Sequence, residues 1–417
     1  MNGPRDGCAH LSRRHALAST ATLLSGSVAG CLGARQRLGL ADDGGLSVRW
    51  QSDQTTAYDQ NHHLFAVTDE ANGDKRIVAP HSSLDGGDDC AITAVDAHGA
   101  SAWQTEINPA VCTPHAVGDI GVGVRNGTTE ALAGTEAGTV IGIEVETGDE
   151  TLRADALDSI GYSAPQVADF PAADHVVAAD FAGTIVSLDA DGDVAWRYTF
   201  DEQTSTKPIV EPSLADGDPA LIVAHGTRDD GAVTALDSEG DTRWSTSVGA
   251  TPNSLRRVDV ASDESLFVVG TASSAVAIEP ATGETRWTAS FDERTAVGDP
   301  VDDRVAVGVN DGTVRVLSLA DGDIAWSQSI ADSEPRLNAP VIGHPFGGDS
   351  PMLAATTYAG RVVLLTPTGE LEATADHETG IYVSPKFVDL AAEGRDDLLI
   401  MDGHGRLVAF EAPETDA

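Results

Sequence analysis

The sequence predicts an all-β fold, an eight-bladed β-propeller, and two periodic patterns carry that prediction. The first is a turn phrase in which a glycine stands four residues before a tryptophan. Residues 281–287 read ATGETRW, and the phrase returns at 97–103 (AHGASAW), 190–196 (ADGDVAW), 238–244 (SEGDTRW) and 320–326 (ADGDIAW). Degenerate copies at 146–152 (ETGDETL) and 367–373 (PTGELEA) carry Leu152 and Ala373 in the tryptophan position. The turn glycines Gly99, Gly148, Gly192, Gly240, Gly283, Gly322 and Gly369 are spaced by 39 to 49 residues, a period that belongs to solenoids and propellers. The second pattern is a short β-branched strand before each phrase. It occurs eight times, at 91–96, 139–144, 184–189, 232–237, 274–279, 313–318, 361–366 and 406–411.

Each repeat is built in the same order. A first segment often opens near a proline, as at 113–119 (TPHAVGD), 164–169 (APQVAD), 207–211 (KPIVE), 339–342 (APVI) and 384–389 (SPKFVD). Proline suits a strand start, where no ladder donor is needed. A second run is apolar at consecutive positions, for example 220–226 (ALIVAHG) and 397–402 (DLLIMD), which suits a strand covered on both faces by neighbouring sheets. The third strand is often preceded by glycine, where a tight hairpin needs positive φ. The glycine–tryptophan phrase is the hairpin into a fourth, outer strand. Trp103, Trp196, Trp244, Trp287 and Trp326 are expected to dock on the hairpin of the neighbouring blade, each costing about 3–5 kcal/mol on truncation as a buried aromatic. Blades two and seven, which carry Leu152 and Ala373, are expected to be the weakest joints.

Eight third strands against seven turn phrases leave one fourth strand missing. Residues 46–50 (LSVRW), behind Gly44 and Gly45, form an orphan strand ending in Trp50. Placed beside 406–411, it closes the ring between the two chain ends and supplies a sixth docking tryptophan; seven blades is the fallback. The expected organisation is an export segment over 1–31, a flexible tether over 32–45, the propeller over 46–411 and a disordered tail over 412–417.

Charge narrows the function classes. Asp plus Glu number 66 against 25 Lys plus Arg, a net charge of −41, and lysine occurs only at Lys75, Lys207 and Lys386. Such a surface repels nucleic acid and anionic membranes, which need a basic footprint. The acids are spread over every repeat, mostly in turns, as in proteins adapted to brine, where molar salt screens their repulsion. A halophilic archaeon is the expected source.

Residues 1–31 have the marks of targeting. Arg13 and Arg14 form the pair of a twin-arginine signal, an uncharged stretch follows, and 28–31 (VAGC) resembles a lipobox in which Cys31 takes lipid and becomes the mature N-terminus. The apolar run is too short for a confident membrane span, so the lipid is the expected anchor, on the outer face of the cytoplasmic membrane. Cys8 leaves with the signal. Cys90 and Cys112 remain, 22 residues apart in adjoining repeats; outside the cytoplasm a disulfide is open to them, and two free thiols are the alternative.

The phrase of strand, Ala/Ser-Leu-Asp and Ala-x-Gly-x-x-x-Trp resembles the repeat of pyrroloquinoline-quinone-type (PQQ-type) propellers across residues 46–411. That family includes quinone-dependent alcohol dehydrogenases and non-enzymatic relatives, among them the propeller lipoprotein of the bacterial outer-membrane assembly machine. The resemblance implies a propeller. It argues against quinone chemistry, because the dehydrogenases cap their quinone with a disulfide between adjacent cysteines and hold calcium in insertions, whereas no two cysteines adjoin here and the repeats leave no room for a cap. A partial likeness to integrin-type repeats is confined to 387–402.

Catalytic motifs are sparse. Asp189, Asp191 and Asp193 suggest a calcium loop, but Gly192 comes one place early for one, and Asp and Gly are what a tight turn wants. His62 and His63, with His81, His98 and His115 nearby in sequence, are conceivable ligands across blades one and two. Their spacing matches no ligand motif, and the expectation is no metal. No phosphate loop, nucleophile elbow or HExxH is present. The expected protein is a monomeric, lipid-anchored binding platform without catalytic residues. It would hold a protein partner on one propeller face, with no cofactor; a PQQ–calcium dehydrogenase lacking the usual cap is the alternative.

Overall fold

The computed structural model describes residues 45–56, 61–69, 73–82, 89–107, 112–113, 115–170, 173–204, 206–214, 217–260, 264–331, 336–348 and 350–413. The export segment, nearly all of the tether and the last four residues lie outside them. Among the described residues all regular structure is β, in eight antiparallel four-stranded sheets, and no helix is long and apolar enough to cross a membrane.

In seven of the sheets the chain runs through four consecutive strands. Blade 5 is typical, with Pro252–Val260, Glu264–Thr271, Ser274–Ile278 and Thr285–Ser290. First strands of successive blades touch one another, so they form the innermost ring. Second and third strands are buried almost throughout; Met352–Thr356 and Ser274–Ile278 show no exposed residue. Each is sandwiched between adjacent blades, which is why its sequence is apolar at consecutive positions rather than alternating. Fourth strands, such as Ser101–Ile107, alternate between exposed and half-buried side chains at the rim.

The eighth sheet closes the ring with the two ends of the propeller. Ser47–Gln51 pairs antiparallel with Leu407–Glu411, beside Asp397–Met401 and Lys386–Val388. Ser47 Oγ donates to Glu411 at 3.0 Å, and Ser52 Oγ accepts the Leu407 N–H at 3.1 Å. Arg49 Nη1 reaches both oxygens of Asp397, at 3.1 and 3.0 Å.

Blades are locked to each other by one repeated contact. The indole N–H of Trp103 donates to Val145 O at 2.8 Å, that of Trp196 to Ser238 O at 2.7 Å and that of Trp244 to Pro280 O at 3.0 Å. Trp287 reaches Leu319 O and Trp326 reaches Pro367 O, both at 2.8 Å. Trp50 completes the ring on Ala97 O of blade 1, also at 2.8 Å. Each ring lies on the turn glycine of the next blade: a Cβ at Gly322, where φ is +78°, would stand 2.7 Å from Trp287. Glycine is therefore required twice over, for its conformation and for the ring seated on it. In every blade with its own hairpin the ladder skips one residue next to the tryptophan position; Ala94 pairs with Trp103 and Val95 with Ser101. That bulge adds local twist where the ring must turn toward its neighbour.

Two expectations change. Only Trp287 is buried, at 6 % exposure; the other five keep an edge in solvent, so the full cost of a buried aromatic applies to it alone. The joints lacking tryptophan also have their own solutions. Between blades 2 and 3, Arg125 Nη1 donates to Ala190 O at 2.9 Å, the carbonyl that an indole would have used, while Leu152 packs against Gly192. Arg125 is buried and forks onto Glu130 at 2.8 and 2.9 Å. Between blades 7 and 8 no hairpin exists to receive an indole, because blade 8 is made of both chain ends. Ala373 is small there, and Leu46 and Ala412 fill the space.

Candidate functional site

The chemistry converges on one mouth of the central channel. A cavity of about 620 Å³ opens there, bounded by the segments that enter the first strands and by two turns joining second to third strands. All eight blades contribute, from His62 and Leu64 of blade 1 to Tyr382 of blade 8.

Two kinds of side chain stand out. One is cationic: Lys207, Arg256 and Arg294 line the cavity, and Lys386 lies next to them in the innermost strand of blade 8, its ammonium 5.6 Å over the Phe65 ring. Thus two of the chain's three lysines sit in its channel. Several arginines of the outer surface, among them Arg153, Arg197 and Arg243, have carboxylates within 4 Å. Lys207, Arg256, Arg294 and Lys386 have none among the described residues, and Arg256 Nε and Asn253 Nδ2 are buried without a hydrogen-bond partner. Loss of solvent, then repulsion from Arg256, lowers the Lys207 pKa. For Lys386 burial is again the main cause, followed by Lys207 and Arg256, and its pKa is pushed down to about 8. Crowded, dehydrated cations, opposed only at longer range by Asp119 and Asp299, make a site that favours an incoming anion.

The other kind is aromatic. Tyr162, Phe181, Tyr358 and Tyr382 ring the cavity; Tyr358 and Tyr382 meet edge to face at 5.3 Å, and Phe181 is exposed beside Tyr162 at 6.2 Å. Burial, with Asp119 nearby, pushes the Tyr162 hydroxyl up to about 12, so it is neutral and a donor.

At the blade 1–2 edge three histidines meet. His62, His63 and His115 place a ring nitrogen each within 4.8 Å of the others. The 61–65 segment is pinned on both sides: Asn61 N–H donates to Gly403 O of blade 8 at 2.8 Å, and Leu64 O accepts the Ile120 N–H of blade 2 at 2.9 Å. His115 sits in the connection from blade 1 to blade 2, which a Cys90–Cys112 disulfide staples, with Cα atoms 5.6 Å apart. His81 is elsewhere, buried between Gly405 O and Thr93 Oγ1, and His98 is in an outer turn. Cys31, Arg13 and Arg14 lie outside the described residues.

This propeller has known relatives. A family model described as outer membrane protein assembly factor BamB matches residues 88–261 and again residues 229–416. The chain belongs to that family. No curated protein sequence matches it. Among solved structures it is similar to BamB from Moraxella catarrhalis, at 18 % identity over 89 % of this chain and 100 % of that one, with a TM-score of 0.61. It is also similar to Sqt1 of Saccharomyces cerevisiae, at 11 % identity over 88 % of this chain and 100 % of that one, TM-score 0.65. BBS1N, solved in complex with ARL6DN, is similar at 14 % identity over 71 % of this chain and 92 % of that one, TM-score 0.51. These likenesses are of fold.

The channel cations went unread in the sequence, although a signal was there. Lys207 and Lys386 both adjoin prolines that open first strands (KPIVE and SPKFVD), and first strands face the channel. In a chain this poor in lysine, that coincidence marks the site.

Proposed function

We propose that the chain is an exported, lipid-anchored and non-catalytic binding platform that holds a partner protein at the outer face of the cytoplasmic membrane. An acidic segment of that partner enters the channel mouth. One observation carries this reading: in a protein of net charge −41, four cations with no carboxylate within 4 Å among the described residues, Lys207, Arg256, Arg294 and Lys386, gather at one aromatic-lined channel mouth. The acidic exterior rejects anions generally, so only a segment that fits the mouth gains the paired charges. Molar salt screens exposed charges over a few ångströms but acts weakly on pairs formed inside a cavity. Family membership supports the platform reading, and the solved complex of BBS1N with ARL6DN shows a similar fold engaged with a protein.

The PQQ–calcium alternative does not fit the residues present. Calcium takes six to eight oxygens, several of them carboxylate, and Asp119 is the one carboxylate among the cavity-lining residues. Its Oδ1 already accepts the Leu64 N–H at 2.9 Å.

The test is site-specific photo-crosslinking in cells of the native type from Phe181 and Tyr382, with an outer-rim position, Val194, as the reference. One protein captured from both mouth positions, and lost in the Lys207→Glu/Arg256→Glu double variant, is expected. Capture from the rim alone would sink the reading. The anchor is checked separately: Cys31→Ala is expected to release the protein into the medium.

A further inference from the structure

The geometry points to a divalent transition-metal site of the zinc class at the blade 1–2 edge of the channel mouth, ligated by His62, His63 and His115 and oriented by Asp119. It stands independently of the partner reading above, because it rests on different residues and on no partner.

The sequence alone makes this cluster unremarkable, since His62 and His63 are adjacent and His115 is more than fifty residues away. The fold changes that. The pinned 61–65 segment and the disulfide-stapled 112–115 connection bring the rings to centroid distances of 4.7 Å (His62 to His63), 5.3 Å (His62 to His115) and 6.0 Å (His63 to His115). Tetrahedral ligands at metal–nitrogen distances of about 2.0–2.1 Å stand about 3.3 Å apart. Nitrogens already within 4.8 Å close on an ion by small ring rotations.

Two further observations point the same way. His63 Nε2 and His115 Nδ1 are both buried and have no hydrogen-bond partner, a loss of about 1–3 kcal/mol each unless something accepts their lone pairs or protons. On the far side of the His63 ring, Nδ1 lies 3.4 Å from Asp119 Oδ1. A carboxylate behind one ring nitrogen holds the tautomer in which the other nitrogen is bare, as behind metal-bound histidines generally.

The donor set selects the ion. Three imidazoles suit zinc, copper or nickel, whereas calcium and magnesium want oxygen. Three protein ligands leave a fourth position, and His62 and His115 line the cavity, so that position faces the channel. The class of group that can complete the shell is water or a carboxylate, imidazole or thiolate brought in from the cavity.

Cobalt(II) is the probe that separates this site from the acidic surface, because imidazole-rich tetrahedral cobalt absorbs intensely in the visible and carboxylate-bound octahedral cobalt does not. Tag-free mature protein, stripped with chelator and kept in molar potassium chloride, is titrated with cobalt(II) and then with zinc(II). Expected are intense tetrahedral bands saturating at one equivalent, bleached by one equivalent of zinc. His63→Ala and His115→Gln abolish them, and His98→Ala leaves them unchanged. Asp119→Asn keeps the band shape and weakens affinity about 10–100-fold. Circular dichroism confirms that each variant is folded, and zinc raises the urea midpoint of the wild type but not of the ligand variants. Faint octahedral spectra only, or tetrahedral bands that persist without His63 and His115, would overturn the proposal.

Discussion

Removing Arg49 tests how the ring is held shut. The strand Ser47–Gln51 joins the last strand by main-chain pairing, and Arg49 is its strongest side-chain tie, both of its bonds falling on Asp397. The Asp397 side chain is 4 % exposed and that of Arg49 27 %. Deleting one partner of a wholly buried pair costs about 3–5 kcal/mol, because the other charge is left stranded. Arg49 is partly hydrated and its removal lets water approach, so Arg49→Ala is expected to cost about 2–3 kcal/mol near pH 7. The cost depends on pH with a definite sign. Burial raises the Asp397 pKa, and Arg49 is the leading influence that opposes the rise. Without Arg49 the folded-state pKa climbs further above the unfolded value of about 3.9. The penalty is therefore complete while Asp397 is ionised and fades as pH falls through the raised folded value. Urea unfolding in molar salt at about pH 7 and about pH 5 measures both numbers. The double variant Arg49→Ala/Asp397→Asn should recover most of the loss at pH 7. An equal loss at both pH values, or no recovery in the double variant, refutes the reasoning.

Three further outcomes follow from the same structure. Trp287→Ala should cost about 3–5 kcal/mol and Trp103→Ala about half as much, because the first ring is buried and the second keeps an edge in solvent; urea midpoints rank them. Cys112→Ser should cost about 3 kcal/mol, the entropy of a 22-residue loop released in the unfolded chain, and reductant should have no effect on that variant's melting temperature. Lys386, with a folded pKa near 8 against about 10.4 unfolded, sheds its proton earlier in the folded state, so stability should rise with pH from about 8 to about 10.5. Lys386→Met should be the more stable protein at neutral pH and should lack that rise, read from melting curves across the range.

The ring was legible because its determinants are local and repeated. A turn needing positive φ at Gly283 and an apolar run at 274–279 announce themselves without reference to the rest of the chain, and eight copies average out local noise. The closing strand could be inferred too, since LSVRW was a piece left over at one end and a gap existed at the other. The site was not legible in the same way. His62 and His115 meet only because two different connections are pinned, one to blade 8 and one by Cys112, and no spacing rule encodes that meeting. The same holds for Arg125, which stands in for a missing indole donor from a different strand of its blade. The extent of tryptophan burial was overestimated because the phrase specifies the docking partner, not how much of the rim covers it.

The closing sheet joins residues 364 positions apart, and this sets an order on the life of the chain. The strand Ser47–Gln51 leaves the ribosome long before its partner Leu407–Glu411. At synthesis rates of about 5–20 residues per second, it waits roughly 20–70 s with an open edge. An unpaired edge recruits other chains, and the polar composition of SVRWQ, with Arg49 at its centre, is a defence during that wait. Blades 1 to 7 can assemble as they emerge, yet the ring closes only once Leu407–Glu411 has emerged.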